Sequence, residues 1–243
     1  MEIEGKRVLV TGANRGLGRA LAHACLEAGA REVLAGARQP ESLENLTATA
    51  QDVRLTPVRL DVTSEDDVRA AADLGRVDIL INNAGVCVFG SVLNAPMEEL
   101  QREVEVNYFG ALLMARAFAP AMIAYGDGLI VNVASILAKV NLPALGNYCA
   151  LKAALLSLSQ GLRGDLGRRG VRVITVLPGT IDTDMSRAFG GPKMSPEQAA
   201  AEIIEAIRAE GIETPIGDAA REVMAGLSSD PLAIERSFAE YRA

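Results

Sequence analysis

Tyr148 and Lys152 stand four residues apart in Tyr148-Cys149-Ala150-Leu151-Lys152, which puts a phenol and an ammonium on one face of a helix. The chain has only four tyrosines and four lysines, so this pairing rarely arises by chance. A free tyrosine titrates near ~10, too high for acid–base work at neutral pH, and a nearby ammonium favours the phenolate. That spacing predicts a tyrosine acid–base group activated by a lysine. Ser135 follows the apolar run Leu129–Ala134 and would stand at a strand end, where its hydroxyl can bond a substrate oxygen.

Such groups need a rigid frame, and the chain alternates strand-length apolar runs with segments of helical period. Strands are predicted at Val8–Thr11, Glu32–Ala37, Leu55–Leu60, Val77–Asn82, Leu129–Ala134 and Val171–Leu177, with a weak one near Thr214. Helices are predicted at about Gly16–Ala28, Glu41–Ala50, Ser64–Leu74, Met97–Ala124, Gly146–Gly167 and Pro196–Glu210. Val, Ile and Leu on both faces of the strands indicate parallel strands covered on both sides. The expected architecture is α/β: a single-domain, Rossmann-like, doubly wound parallel sheet spanning residues 1–243.

The first strand runs into Thr11-Gly12-Ala13-Asn14-Arg15-Gly16-Leu17-Gly18 and then opens a helix. Glycines there allow a tight turn and close approach of a pyrophosphate to the helix N-terminus. The spacing is Gly-x-x-x-Gly-x-Gly rather than the commoner Gly-x-Gly-x-x-Gly, so the strand–loop–helix context carries the dinucleotide reading. Twenty residues after Gly18 stands Arg38, where an acid would select NAD and an arginine accepts a 2′-phosphate. Arg15, inside the glycine loop, offers a second guanidinium for the same dianion. Two arginines at these places favour NADP(H).

These features together resemble the short-chain dehydrogenases/reductases over residues 5 to 185. The family's glycine loop is matched by Thr11–Gly18, and its Asn-Asn-Ala-Gly motif by Asn82-Asn83-Ala84-Gly85. Its active-site Asn, Ser, Tyr and Lys fall on Asn107, Ser135, Tyr148 and Lys152, and its Pro-Gly segment on Pro178-Gly179-Thr180, with Ile181 and Thr183 beyond. The resemblance implies that Tyr148 donates a proton to a carbonyl oxygen held by Ser135, while Lys152 binds the nicotinamide ribose and lowers the tyrosine pKa. Asn107 would hold a water linking Lys152 to solvent. Asp61 and Val62 would contact adenine, Asn83, Ala84 and Gly85 the ribose and pyrophosphate, and Thr183 the nicotinamide amide.

By the same analogy, the substrate pocket is drawn from Val86–Phe89, Ile136–Leu142 and the loop 184–195. Val86, Ile136, Leu137, Leu142, Met185 and Phe189 make it apolar, which suits a hydrophobic ketone, diketone or aldehyde. The segment 213–243 departs from the family's common strand-and-tail ending. Pro215 cannot donate to a ladder, which makes the last strand an edge and weakens the case for a tetramer. A homodimer through the two long helices, around 97–124 and 146–167, is the expected assembly, with a monomer as the alternative.

Composition narrows the classes. The net charge of −7 without a basic run argues against nucleic acid and anionic membranes as partners. A single histidine, His23, and three cysteines without metal-ligand spacing argue against most metal sites and against a Ser–His–Asp hydrolase that needs a loop histidine, so no metal is expected. No uncharged apolar stretch is long enough to span a bilayer, and sparse odd cysteines fit a reducing compartment, so a cytoplasmic protein is expected. Cys149 and His23 read as packing residues. The leading expectation is an NADPH-dependent carbonyl reductase. A 3-oxoacyl-carrier-protein reductase and a non-catalytic NADP-binding regulator are the alternatives.

Overall fold

Strands apolar on both faces are stable only between two helical layers, and the chain builds that sandwich. The computed structural model describes residues 1–43 and 54–240. Seven parallel strands form one sheet in the order β3-β2-β1-β4-β5-β6-β7. They are β1 (Arg7–Thr11), β2 (Glu32–Ala37), β3 (Leu55–Arg59), β4 (Ile79–Asn82), β5 (Gly128–Val133), β6 (Val171–Pro178) and β7 (Glu213–Ile216). Among the described residues the α-helices are α1 (Gly16–Glu27), α2 (Glu65–Asp73), α3 (Met97–Val104), α4 (Ala111–Tyr125), α5 (Gly146–Gly167), α6 (Pro196–Ala209), α7 (Asp218–Ser229) and α8 (Pro231–Glu240). The expected doubly wound α/β architecture is therefore the observed one, and β7, with Pro215, is an edge strand.

Alternate strand residues feed opposite layers. Val8, Val10, Ile79, Ile81, Leu129 and Val131 pack with Leu21 and Cys25 of α1 and Ile203 and Ile207 of α6. Leu9, Leu80 and Ile130 pack with Val68 of α2, Met114 and Phe118 of α4 and Leu166 of α5. The stretch Met97–Tyr125 is long and apolar enough to cross a membrane. Its apolarity has a simpler cause here, because Met114, Ala115, Phe118, Ala119 and Met122 face the sheet.

Two departures from the sequence reading matter. The helix expected across 97–124 is interrupted by a π-helical turn at Glu105–Gly110, which contains Asn107. Such widened turns favour functional sites because they reorient the backbone without ending the helix. Of the helix expected at 41–50, residues 44–50 lie outside the described residues, and Pro40–Leu43 forms a single 3₁₀ turn.

The chain leaves β1 outward to β2 and β3, then returns to β4 on the other side of β1. That reversal opens a crevice beyond the strand ends between β1 and β4, the place where open α/β sheets bind ligands.

Candidate active site

A cleft of about 950 Å³ occupies this switch point. One wall is the β1–α1 loop. Gly12 and Gly16 adopt left-handed φ of +65° and +51°, and a side chain on Gly12 would come within 3.0 Å of the Ala84 backbone. Gly18 is packed against the Gly12 carbonyl and the Asn83 amide, so any β-carbon there would collide with both. Thr11 Oγ1 accepts from the Asn83 and Ala84 backbone N–H groups at 2.9 Å, tying the two loops together. Helix α1 starts without a side-chain cap and without an acid in its first turn. Its free N–H groups and positive dipole end suit an anion such as a pyrophosphate.

Away from the glycine loop, the cleft is lined by Arg38, Gln39, Ser42, Arg59, Asp61 and Val62. Burial pushes the Asp61 carboxyl up, but two Thr63 hydrogen bonds and the Arg38 charge outweigh it and hold it below the usual carboxylate range. Arg15 also lines the cleft, yet its guanidinium reaches across to Asp184 at 3.0 Å, joining the glycine loop to the 184–195 segment. Arg59 escaped the sequence reading. It ends an edge strand at a position alternating with buried Val58, a pattern that reads as a solvated face.

At the β5 end the cleft gathers Ser135, Tyr148 and Lys152 with Pro178, Gly179, Ile181 and Thr183. Ser135 leaves the sheet as the N-cap of a 3₁₀ turn, its Oγ accepting from Leu137 N at 3.1 Å. Tyr148 lies in the first turn of α5 and Lys152 one turn on, nearly fully buried, with Nζ donating to the Val133 carbonyl at 2.9 Å. Burial dominates both groups. It pushes the Tyr148 phenol up, reinforced by Cys87, Cys149 and Glu103 and opposed by a bond to Ser135. It pushes Lys152 down to about 8. Tyr148 itself is half-buried and lines the cleft, so the direction of its shift reflects the surrounding side chains as well as loss of solvent.

The substrate-side expectations divide. Val86, Leu137, Met185 and Phe189 line the cleft together with Cys87 and Leu145. Ile136 and Leu142 do not; both are buried, and Leu142 packs with Leu145 and Cys149 behind Tyr148. Asn107 also lies behind the cleft wall, where its side chain accepts from Val86 N at 3.1 Å and donates to Val86 O at 2.8 Å. The remaining expected cofactor residues, Asn14, Leu17, Asn83, Ala84 and Gly85, line the cleft.

The 184–195 loop is tied back through an isolated parallel bridge between Ile181 and Met194. Phe189 from this loop meets Phe89 with ring centroids 4.9 Å apart. The final helix adds an unforeseen part: Phe238 of α8 packs on the cluster holding Leu142, Leu145, Cys149, Tyr148 and Phe189. The Ile234/Phe238 spacing along one helix face was its only sequence signal.

A doubly wound sheet with a glycine loop at the switch point defines a Rossmann-like, dinucleotide-binding class of protein. The chain belongs to the short-chain dehydrogenase family, whose model matches residues 6–192. It is 37% identical over 190 residues to a sorbitol dehydrogenase of Cereibacter sphaeroides, covering 75% of this chain and 73% of that one. It is 34% identical over 209 residues to the short chain dehydrogenase pigC of Monascus ruber, covering 79% of this chain and spanning only 66% of that protein's length. A short chain dehydrogenase from Burkholderia cenocepacia, crystallised with NADP, superposes with a TM-score of 0.92 at 43% identity, over 98% of this chain and 99% of that one. The protein is thus an oxidoreductase of this family.

Proposed function

We propose that the protein is an NADP(H)-dependent carbonyl reductase acting on hydrophobic ketones, diketones or aldehydes, with alcohol oxidation as its reverse. The carrying observation is the convergence of Ser135, Tyr148 and Lys152 at one end of a cleft whose other reaches hold Arg15, Arg38 and Arg59. Gly12, Gly16, Gly18 and the bare start of α1 would hold the pyrophosphate, and Asp61 with Val62 the adenine. The arginines would hold the 2′-phosphate, and Lys152 the nicotinamide ribose. The similar Burkholderia protein binds NADP, which supports the same cofactor here. Bound NADPH supplies the hydride.

The chain's own part is the proton and the fit. Ser135 Oγ would orient the carbonyl oxygen, and the Tyr148 phenol, which carries its proton at neutral pH, would give that oxygen its proton. Asn107 fixes Val86 on the substrate side. Leu137, Leu145, Met185, Phe189 and Cys87 would exclude water from the reacting carbonyl and favour apolar substituents.

Absorbance of NADPH and NADH, followed with aryl ketones, diketones, aldehydes and an acyl thioester, tests the reading. NADPH oxidation fastest with the apolar carbonyls is the expected result. Faster turnover of the thioester would replace it by a 3-oxoacyl reductase, and NADPH binding without turnover of any carbonyl by a regulator.

A further inference from the structure

The segment Val86–Phe89 leaves β4 along the substrate side of the cleft without entering helix or sheet. Its backbone groups must therefore find partners elsewhere. Two side chains four residues apart supply them. Asn107 brackets Val86 through both its N–H and its carbonyl, and Glu103 Oε1 accepts from Val88 N at 2.8 Å. Alternate residues of the segment are thus pinned to adjacent turns of one helical stretch.

Glu103 does more than hold the segment. It is fully buried at 0% exposure, and its second oxygen accepts from Asn147 Nδ2 at 2.6 Å. Asn147 immediately precedes Tyr148 in the first turn of α5, and its amide also reaches the Leu100 carbonyl at 3.4 Å. One carboxyl therefore joins three pieces: the substrate-side segment, α3, and the turn that carries the phenol. Placing a carboxyl in an apolar interior is costly, and no ion pair involves Glu103 among the described residues. Both oxygens accept from N–H donors, a pattern an amide in its place cannot reproduce without the Asn147 amide turning over.

We propose that Glu103 is a positioning residue for the reaction, fixing the segment 86–89 against the first turn of α5 and so setting Tyr148 relative to the substrate carbonyl. This rests on Tyr148 being the proton donor. The same link extends to Phe89, whose ring meets Phe189 of the cleft lining, so a loosened segment also loosens that wall of the cleft.

The charge of Glu103 has a separate reach. From α3 it pushes both Tyr148 and Lys152 up. The other groups facing the phenol are Cys87 of the segment, Cys149 and Lys152 of α5, and Ser135 beyond β5. Burial pushes both thiols up as well, so among these groups Glu103 supplies the negative charge.

The test uses the full-length Glu103→Gln and Glu103→Leu variants beside Tyr148→Phe, with NADPH and an aryl diketone as probe. Glu103→Gln is expected to keep the NADPH Kd while raising the diketone KM or lowering kcat by about tenfold, the order for weakening one charge-assisted bond. Its alkaline limb of kcat/KM should move to lower pH, and amide hydrogen exchange in 86–89 should quicken. Glu103→Leu should show the same with larger losses; if it does not fold, Glu103→Gln carries the test. The proposal is overturned if Tyr148→Phe is inactive while Glu103→Gln keeps wild-type kcat, KM, pH limb and exchange. It is also overturned if Glu103→Gln weakens NADPH binding as much as it weakens turnover. An active Tyr148→Phe would instead remove the premise about the proton donor.

Discussion

Lys152 holds its ammonium 5.4 Å from the centre of the Tyr148 ring while donating to the Val133 carbonyl at 2.9 Å. The two groups line the same end of the cleft, and burial drives them in opposite senses, the phenol upward and the ammonium down to about 8. Both shifts favour the neutral form, so at neutral pH the tyrosine keeps its proton and the lysine is near the end of its charged range.

Reduction should therefore be level around neutral pH and decline as the pH rises through about 8, where Lys152 loses its charge. The raised phenol adds no limb below that point, because it stays protonated there. Alcohol oxidation needs the phenol as a base and should rise with pH over the same window. Profiles of kcat/KM in both directions, taken on one enzyme preparation, check this. A reductive limb already falling below neutrality would contradict the assignment.

Tyr148→Phe removes the proton and little else, since the ring keeps its packing on Leu142, Leu145 and Cys149. Turnover is expected to fall by about 10²–10⁴-fold, the usual scale of a positioned general acid. NADPH affinity, measured by fluorescence titration, should stay close to wild type. Retained turnover would mean that another group, or water, delivers the proton.

The cost of burying Lys152 should be visible as stability. Its pKa falls from 10.5 to about 8, which at about 1.4 kcal/mol for each pH unit is a penalty of roughly 3 kcal/mol at neutral pH. Lys152→Met removes the penalty but also the bond to Val133, so a net gain of about 1–3 kcal/mol is expected, with activity lost. The sign follows from the depressed value: the unfolded chain holds the proton more tightly between about 8 and 10.5, so wild-type stability improves as pH rises through that window. Thermal unfolding of both proteins at neutral pH and at about pH 10 should show the gap narrowing.

The parts legible in the sequence were those with a local signature. Strands of Val, Ile and Leu declare their burial, the glycines declare a turn, and a tyrosine four residues from a lysine declares a shared helix face. What escaped was set by tertiary placement. Ile136 and Leu142 are as apolar as Leu137 and Leu145, and it is the local backbone, the 3₁₀ turn Ile136–Ala138 and the turn Pro143–Leu145 that Leu142 precedes, that separates those reaching the cleft from those that do not. Glu103 looks like any acid of an exposed helix until its neighbours bury it, and Arg59 like any strand-edge cation. The proximity of Lys152 to Tyr148 is visible in the sequence, whereas the burial that acts on both groups is not.

Phe238 brings the variant C-terminal helix onto the pocket cluster beside Phe189 and Leu145. Phe238→Ala should loosen this support and raise KM for bulky aryl ketones more than for small aliphatic ones, with kcat little changed. The half-buried ring limits the stability loss to about 1–2 kcal/mol, below the range for a fully buried aromatic. Equal KM changes for small and bulky ketones would place the helix outside substrate recognition.

Arg38 directly follows β2, whose last residue Ala37 is in register with Arg59 at the end of β3, and both arginines line the same stretch of the cleft. Arg15 lines the cleft as well but is engaged by Asp184 at 3.0 Å, so its guanidinium must divide its interactions between that carboxylate and a 2′-phosphate. Arg38→Ala and Arg59→Ala should each weaken NADPH by about 10–100-fold, the scale of a charge-assisted hydrogen bond, with NADH affinity unchanged. Arg15→Ala should cost less, because the Asp184 carboxylate already shares its guanidinium. Asp184→Asn gives the discriminating result: freed of its carboxylate partner, Arg15 should bind NADPH more tightly, while NADH affinity stays level. Tighter binding of both cofactors would instead assign Asp184 a role in positioning the 184–195 loop, and weaker binding of NADPH would remove Arg15 from the phosphate site.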